Sequence, residues 1–170
     1  MKLHLGGKQK KDGWTILNAI DAPEVDIVGD LMDLSQFDDE SCDEVYASHI
    51  LEHVPQKKVV ETMSGISRVL KKGGKFYCSV PDLEILSMLL VHEELNTEQK
   101  YHVMRMMFGG QVDEYDFHYI GYTWDFFQKF FAGQSGFKSM ERVEGFGLFE
   151  DTSNYKPYGV LISLNIIFVK

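Results

Sequence analysis

A chain of 170 residues that is 44% hydrophobic and 13% aromatic has apolar material for one core and little for a second, so a single domain over 1–170 is expected. Its formal net charge of -9 repels phosphate backbones, which argues against nucleic acid as a partner. The longest apolar stretch, Val160 to Val169, is about half the roughly 20 residues a membrane helix needs, and the N-terminus lacks a signal-peptide core, so no membrane partner is expected.

In chain order, Leu3-His4-Leu5 reads as a short strand breaking into Gly6-Gly7, and Thr15 to Ile20 as a second strand ending at Asp21. Val25 onward is an apolar strand closing at Gly29-Asp30, and a fourth runs into Ser48-His49. From Val54 to Leu70 apolar residues recur at three- and four-residue spacing, and Lys71-Lys72-Gly73-Gly74 supplies a cationic last turn and a stop, which predicts a helix against one sheet face. Phe76 to Val80 is the next strand, after which Asp82 caps a helix to about Val91. A further helix starts at Asn96-Thr97 and halts at Gly109-Gly110. Thr123 opens another, with a stripe of Phe126, Phe127, Phe130 and Phe131 stopped by Gly133 to Gly136. Met140 to Phe146 and Val160 to Val169 read as the last two strands, the latter alternating Val160, Ile162, Leu164, Ile166 and Phe168 on one face. Strands joined by helices indicate an α/β sheet. Cys42 and Cys78 fall in strand regions without metal or redox spacing and are expected to be reduced and buried, as suits a cytoplasmic protein.

The segments LHLGG, the acid after ILNAI, VDIVGDLMDLSQF, CDEVYASHILEHV and RVLKKGGKFYCSVPD stand in the order found in class I S-adenosylmethionine-dependent methyltransferases, which this chain resembles. A nearer likeness is to a bacterial group of predicted, uncharacterised methyltransferases, whose later part resembles VMRMMFGGQVDEYDFH, GFGLFEDTS and GVLISLNI. The resemblance implies a Rossmann-like sheet of order 3-2-1-4-5-7-6 with the last strand antiparallel. One departure is visible: the loop between Gly7 and Thr15 is too short for the usual first crossover helix, so the fold is shortened at its N-terminus, and Lys8 replaces the last glycine of the usual turn.

The resemblance implies S-adenosylmethionine as cofactor and S-adenosylhomocysteine as product. It implies Leu5, Gly6 and Gly7 at the methionyl end, Asp21 on the ribose, Asp30 and Leu31 at the adenine with Asp33 nearby, and Ser48 beneath the sulfonium. Glycines allow close backbone approach, and turn amides can hold a carboxylate. Methyl transfer to a hydroxyl or amine also requires a proton acceptor, and histidine titrates near neutrality, which singles out His49 and His118. His49, Glu52 and His53 imitate a helix-borne metal set, but a distant fourth ligand is not identifiable, so no metal is assigned.

The expected activity is methyl transfer to a small acceptor, with a sugar-linked hydroxyl or amine as the leading class. The alternative is a noncatalytic binding or assembly module, suggested by the missing helix and by Lys8. Residues 92–122, with Met104, Met107 and Phe108, are expected to form a lid or an interface insertion such as a homodimer contact.

Overall fold

The computed structural model describes residues 1–131 and 136–170, without the side chains of 130 and 131. The Phe130 and Phe131 side chains of the expected stripe, and residues 132–135 of the expected helix stop, therefore lie outside the described residues. The strands are β1 (Lys2–Leu5), β2 (Trp14–Asn18), β3 (Ile27–Val28), β4 (Cys42–Ser48), β5 (Leu70–Pro81), β6 (Ser139–Val143) and β7 (Ser163–Val169). The helices are α1 (Val59–Val69), α2 (Leu83–Leu90), α3 (Thr97–Phe108) and α4 (Trp124–Phe131). The sheet runs β3-β2-β1-β4-β5-β7-β6, with β7 antiparallel to both its neighbours, in agreement with the expected order.

One sheet face is built on Leu3, Leu5, Val45, Ala47, Phe76, Cys78, Leu164, Ile166 and Phe168, covered by the Val59, Met63 and Ile66 stripe of α1 and by Phe127 of α4. Tyr122 stacks on Phe127 at 4.9 Å between ring centroids. Both cysteines are buried free thiols in β4 and β5. Burial pushes both thiols up, which keeps them protonated and inert.

The opposite face shows what replaces the absent crossover helix. β1 and β2 pair in parallel, Leu5 opposite Leu17, joined only by residues 6–13. At about 3.3 Å per residue that loop reaches about 26 Å, enough to retrace a short strand without a helix. The uncovered face, His4, Trp14, Tyr46 and Tyr77, is closed by Phe146, Leu148 and Phe149 from the segment between β6 and β7. Phe149 lies 4.3 Å from the His4 ring and 4.7 Å from Tyr46, and Lys11 donates to the Leu148 carbonyl. Tyr46 in turn donates to Asp151 at 2.7 Å, fastening the segment to β4.

Three boundaries differ from expectation. β2 ends at Asn18 because its side-chain Oδ1 accepts from Ile20 N at 3.0 Å and turns the chain. α1 ends at Val69, and Leu70 already pairs with Cys42, so the Lys71 to Gly74 stretch belongs to β5, with Gly73 at a φ of 77°. β6 and β7 are shorter than expected, since residues 144–162 carry the aromatic cover instead of extending the hairpin. α2 and α3 form a hairpin with its own small core of Leu86, Leu89, Val103 and Ile162. Asp82 positions it: its carboxylate is 1% exposed, caps α2 at Glu84 N and Ile85 N, and accepts from Arg142 at 2.8 Å.

Candidate functional site

The carboxyl ends of β1, β2 and β4 open into a cleft of about 540 Å³, a size suited to a small ligand. Gly6, Lys8, Asn18, Gly29, Asp30, Leu31, His49 and Ile50 line one side; Val112 to Asp116 and Tyr119 form the facing wall. That wall is anchored by Tyr119 N donating to the Glu52 carbonyl at 2.8 Å. Asp30, Asp113, Glu114 and Asp116 against the single Lys8 make the cleft anionic.

The expected cofactor residues divide. Gly6, Asp30 and Leu31 line the cleft, whereas Leu5, Gly7, Asp21, Asp33 and Ser48 do not. Gly6 has a φ of 68°, and a Cβ there would overlap the Ile50 side chain, so this position demands glycine. Its N–H, however, is spent on the Leu17 carbonyl at 2.7 Å. Leu5 is fully buried under the sheet, and Gly7 is packed against the His4 ring. Asp33 caps its own turn through Ser35 N, which lowers its pKa. Asp21 is exposed beyond the strand end. The residue that ends β2 inside the cleft is Asn18, its amide held by the Gly7 carbonyl at 3.1 Å. Asn18 lies three residues before Asp21, and the Asx turn it forms with Ile20 N is what ends the strand there.

His49 follows β4 with a φ of 53°, unusual for a residue with a Cβ, and its N–H is held by the Ser79 carbonyl at 2.8 Å. Its ring lines both this cleft and a smaller neighbour of about 390 Å³ bordered by His102, Arg105, Asp116, His118, Thr152 and Tyr155. His118 reaches only the second cleft. Ser163 donates its hydroxyl proton to the Thr152 carbonyl, so it must accept from His49 Nε2–H at 2.8 Å, leaving His49 Nδ1 as a lone pair 3.5 Å from Glu52 Oε1. His53 Nδ1 donates to the Phe117 carbonyl at 3.1 Å, which leaves its Nε2 bare. His118 Nε2 lies 4.0 Å from the same Glu52 oxygen.

Glu52 is thus fully buried among histidines, and neither carboxylate oxygen has a hydrogen-bond partner. Burial pushes its carboxyl up to about 8, so it is mostly neutral at pH 7. Burial likewise lowers His49 to about 3 and His118 to about 4, aided by their mutual repulsion with neighbouring rings. Both are neutral and weakly basic at pH 7.

Residues 10–78 match a methyltransferase domain family. No curated protein matches the chain. Among solved structures, the chain is similar to Burkholderia thailandensis 1,6-didemethyltoxoflavin-N1-methyltransferase with bound 1,6-didemethyltoxoflavin and S-adenosylhomocysteine, at 13% identity and TM-score 0.62 over 99% of this chain and 70% of that one. The YcgJ protein of Bacillus subtilis aligns at 14% identity and TM-score 0.58, covering 99% and 91%. A chain from the complex of the Haloferax volcanii Trm112 methyltransferase activator aligns at 15% identity and TM-score 0.54, covering 99% and 81%.

Proposed function

We propose that this chain, which has the class I methyltransferase fold and a methyltransferase-domain match over residues 10–78, binds S-adenosylmethionine in the larger cleft and methylates a small acceptor in the smaller one. The observation that carries this reading is an anionic cleft at the strand ends. The cofactor has a sulfonium and an ammonium against one carboxylate, and the wall of Asp113, Glu114 and Asp116 complements that excess positive charge. Asp30 is suited to the adenine end, and Lys8 to the methionyl carboxylate that a glycine turn would otherwise hold. Asn18 stands at the ribose in place of Asp21, and it can bond there only by yielding part of its contact with Gly7. Bound there, the cofactor supplies an electrophilic methyl on sulfur, displaced in line by the acceptor.

The smaller cleft sets Arg105, Asp116, His102 and Tyr155 beside apolar Pro81, Met106 and Ile162, and those polar groups suit a hydroxylated or amino-substituted molecule such as a sugar derivative. His49 is the ring that borders both clefts and is the proposed proton acceptor, with His118 as the alternative on the acceptor side. A ring depressed to about 3 is a poor base for an unactivated alcohol. An amine attacks through its neutral lone pair and sheds its proton after transfer, so an amino acceptor is the better match. The 92–122 segment supplies the facing wall and acts as the specificity-determining lid.

Isothermal calorimetry with S-adenosylmethionine, S-adenosylhomocysteine and ATP tests this. Selective micromolar binding of the first two is expected; binding of neither overturns the reading. A second reading is a noncatalytic or partner-dependent module, favoured by Asn18 at the ribose and by the missing helix. Exposed Phe108 and half-buried Met107 on α3 are its candidate homodimer surface, and a strictly monomeric chain in ultracentrifugation would count against it.

A further inference from the structure

The sequence shows a helix-like histidine and glutamate spacing at 49, 52 and 53 but no distant partner. The fold supplies one. His118, from the loop after α3, comes within 4.0 Å of Glu52, and its ring packs edge-on against His53 at 4.8 Å between centroids. Ligand atoms of Glu52, His53 and His118 all lie within 4.8 Å of one another.

The hydrogen bonds around this cluster point outward. His53 spends its N–H on the Phe117 carbonyl and His49 spends its own on Ser163, so their remaining nitrogens are lone pairs. Glu52, 1% exposed, offers two oxygens with no donor for either. Two unpartnered oxygens of a fully buried carboxylate, with imidazole nitrogens close by, are unsatisfied unless a proton or a cation lies beside them. Backbone acceptors on the outer nitrogens are also how metal-bound histidines are fixed in tautomer and orientation.

We propose that Glu52, His53 and His118 bind one divalent transition-metal ion of the zinc class. Two imidazoles and one carboxylate suit zinc, and three protein ligands leave a coordination position open. Because His53 borders the larger cleft and His118 the smaller, the ion stands in the partition between them. Ligands about 2.0–2.1 Å from a tetrahedral ion lie about 3.4 Å apart, so the widest pair closes by about 1.4 Å on binding. This assignment gives His118 a ligand role in place of proton acceptor. It stands on side-chain geometry alone and does not depend on the methyl-donor reading.

The test uses the tag-free 170-residue chain stripped with EDTA and titrated with ZnCl2 against a competing zinc indicator, with melting temperature followed in parallel. Binding of one Zn2+ per chain and a higher melting temperature are expected. His53→Ala and His118→Ala should each weaken zinc at least about tenfold, while His92→Ala, on an exposed turn, should not. Glu52→Gln keeps shape and removes the carboxyl that would give up its proton to bind zinc, so it should also lose zinc while retaining the native circular dichroism spectrum. Absence of zinc binding by the wild type at tenfold molar excess overturns the proposal. Equal binding by wild type and His118→Ala in folded protein does the same. Neither outcome bears on S-adenosylmethionine binding, which is read separately by calorimetry.

Discussion

Glu52→Gln isolates the cost of ionising a carboxyl in the core. The folded-state pKa of Glu52 is raised to about 8 from 4.5, so between those values the folded chain holds a proton that the unfolded chain has released. The unfolded state binds fewer protons, and stability therefore falls with rising pH by about 1.4 kcal/mol per unit, levelling off above about pH 8. From pH 6 to pH 8 this amounts to about 2 kcal/mol, allowing for half-ionisation at the upper end. His4, His49, His53 and His118 have lowered pKa values and gain stability as pH rises toward the ordinary histidine range. Those contributions are common to both proteins, so the difference between them reports Glu52. Urea denaturation with EDTA present should show Glu52→Gln gaining about 2 kcal/mol on wild type between pH 6 and pH 8, a shift of about 1 M in relative midpoint. A difference constant to within about 0.5 kcal/mol would refute the burial argument.

Asp30→Ala should weaken S-adenosylmethionine by about tenfold in calorimetry, while Asp21→Ala should leave it unchanged, because only Asp30 lines the cleft; equal losses would place the ribose at Asp21 after all. Asp82→Ala removes the α2 cap and the carboxylate that Arg142 contacts, and should cost about 2 kcal/mol in chemical denaturation. Loss below 1 kcal/mol would show that Asp82 does not position the α2–α3 hairpin. Phe149→Ala opens the face that the missing helix leaves bare and should lower stability by about 3 kcal/mol. A near-neutral result would mean that the 144–162 segment is not the cover.

The strands, the α1 stripe, the buried cysteines and the shortened first crossover were legible in the sequence because each follows from local periodicity or loop length. So was the motif order on which the sheet order and the methyltransferase reading rested. Periodicity did not reveal that β2 stops at Asn18, since an Asx turn, not an acid, ends that strand. Nor did alternation in the last strands reveal that residues 144–162 leave the hairpin to bury Phe146, Leu148 and Phe149, because that depends on a sheet face left empty by residues distant in the chain. The histidine cluster shows the same division. His49, Glu52 and His53 stand together in the sequence, but their charge states depend on desolvation and on His118, which a loop more than sixty residues away brings to them. Local pattern determined the elements and the strand ends that carry the cleft; long-range packing alone decided which polar groups face the cleft, which face one another, and which are buried without a partner.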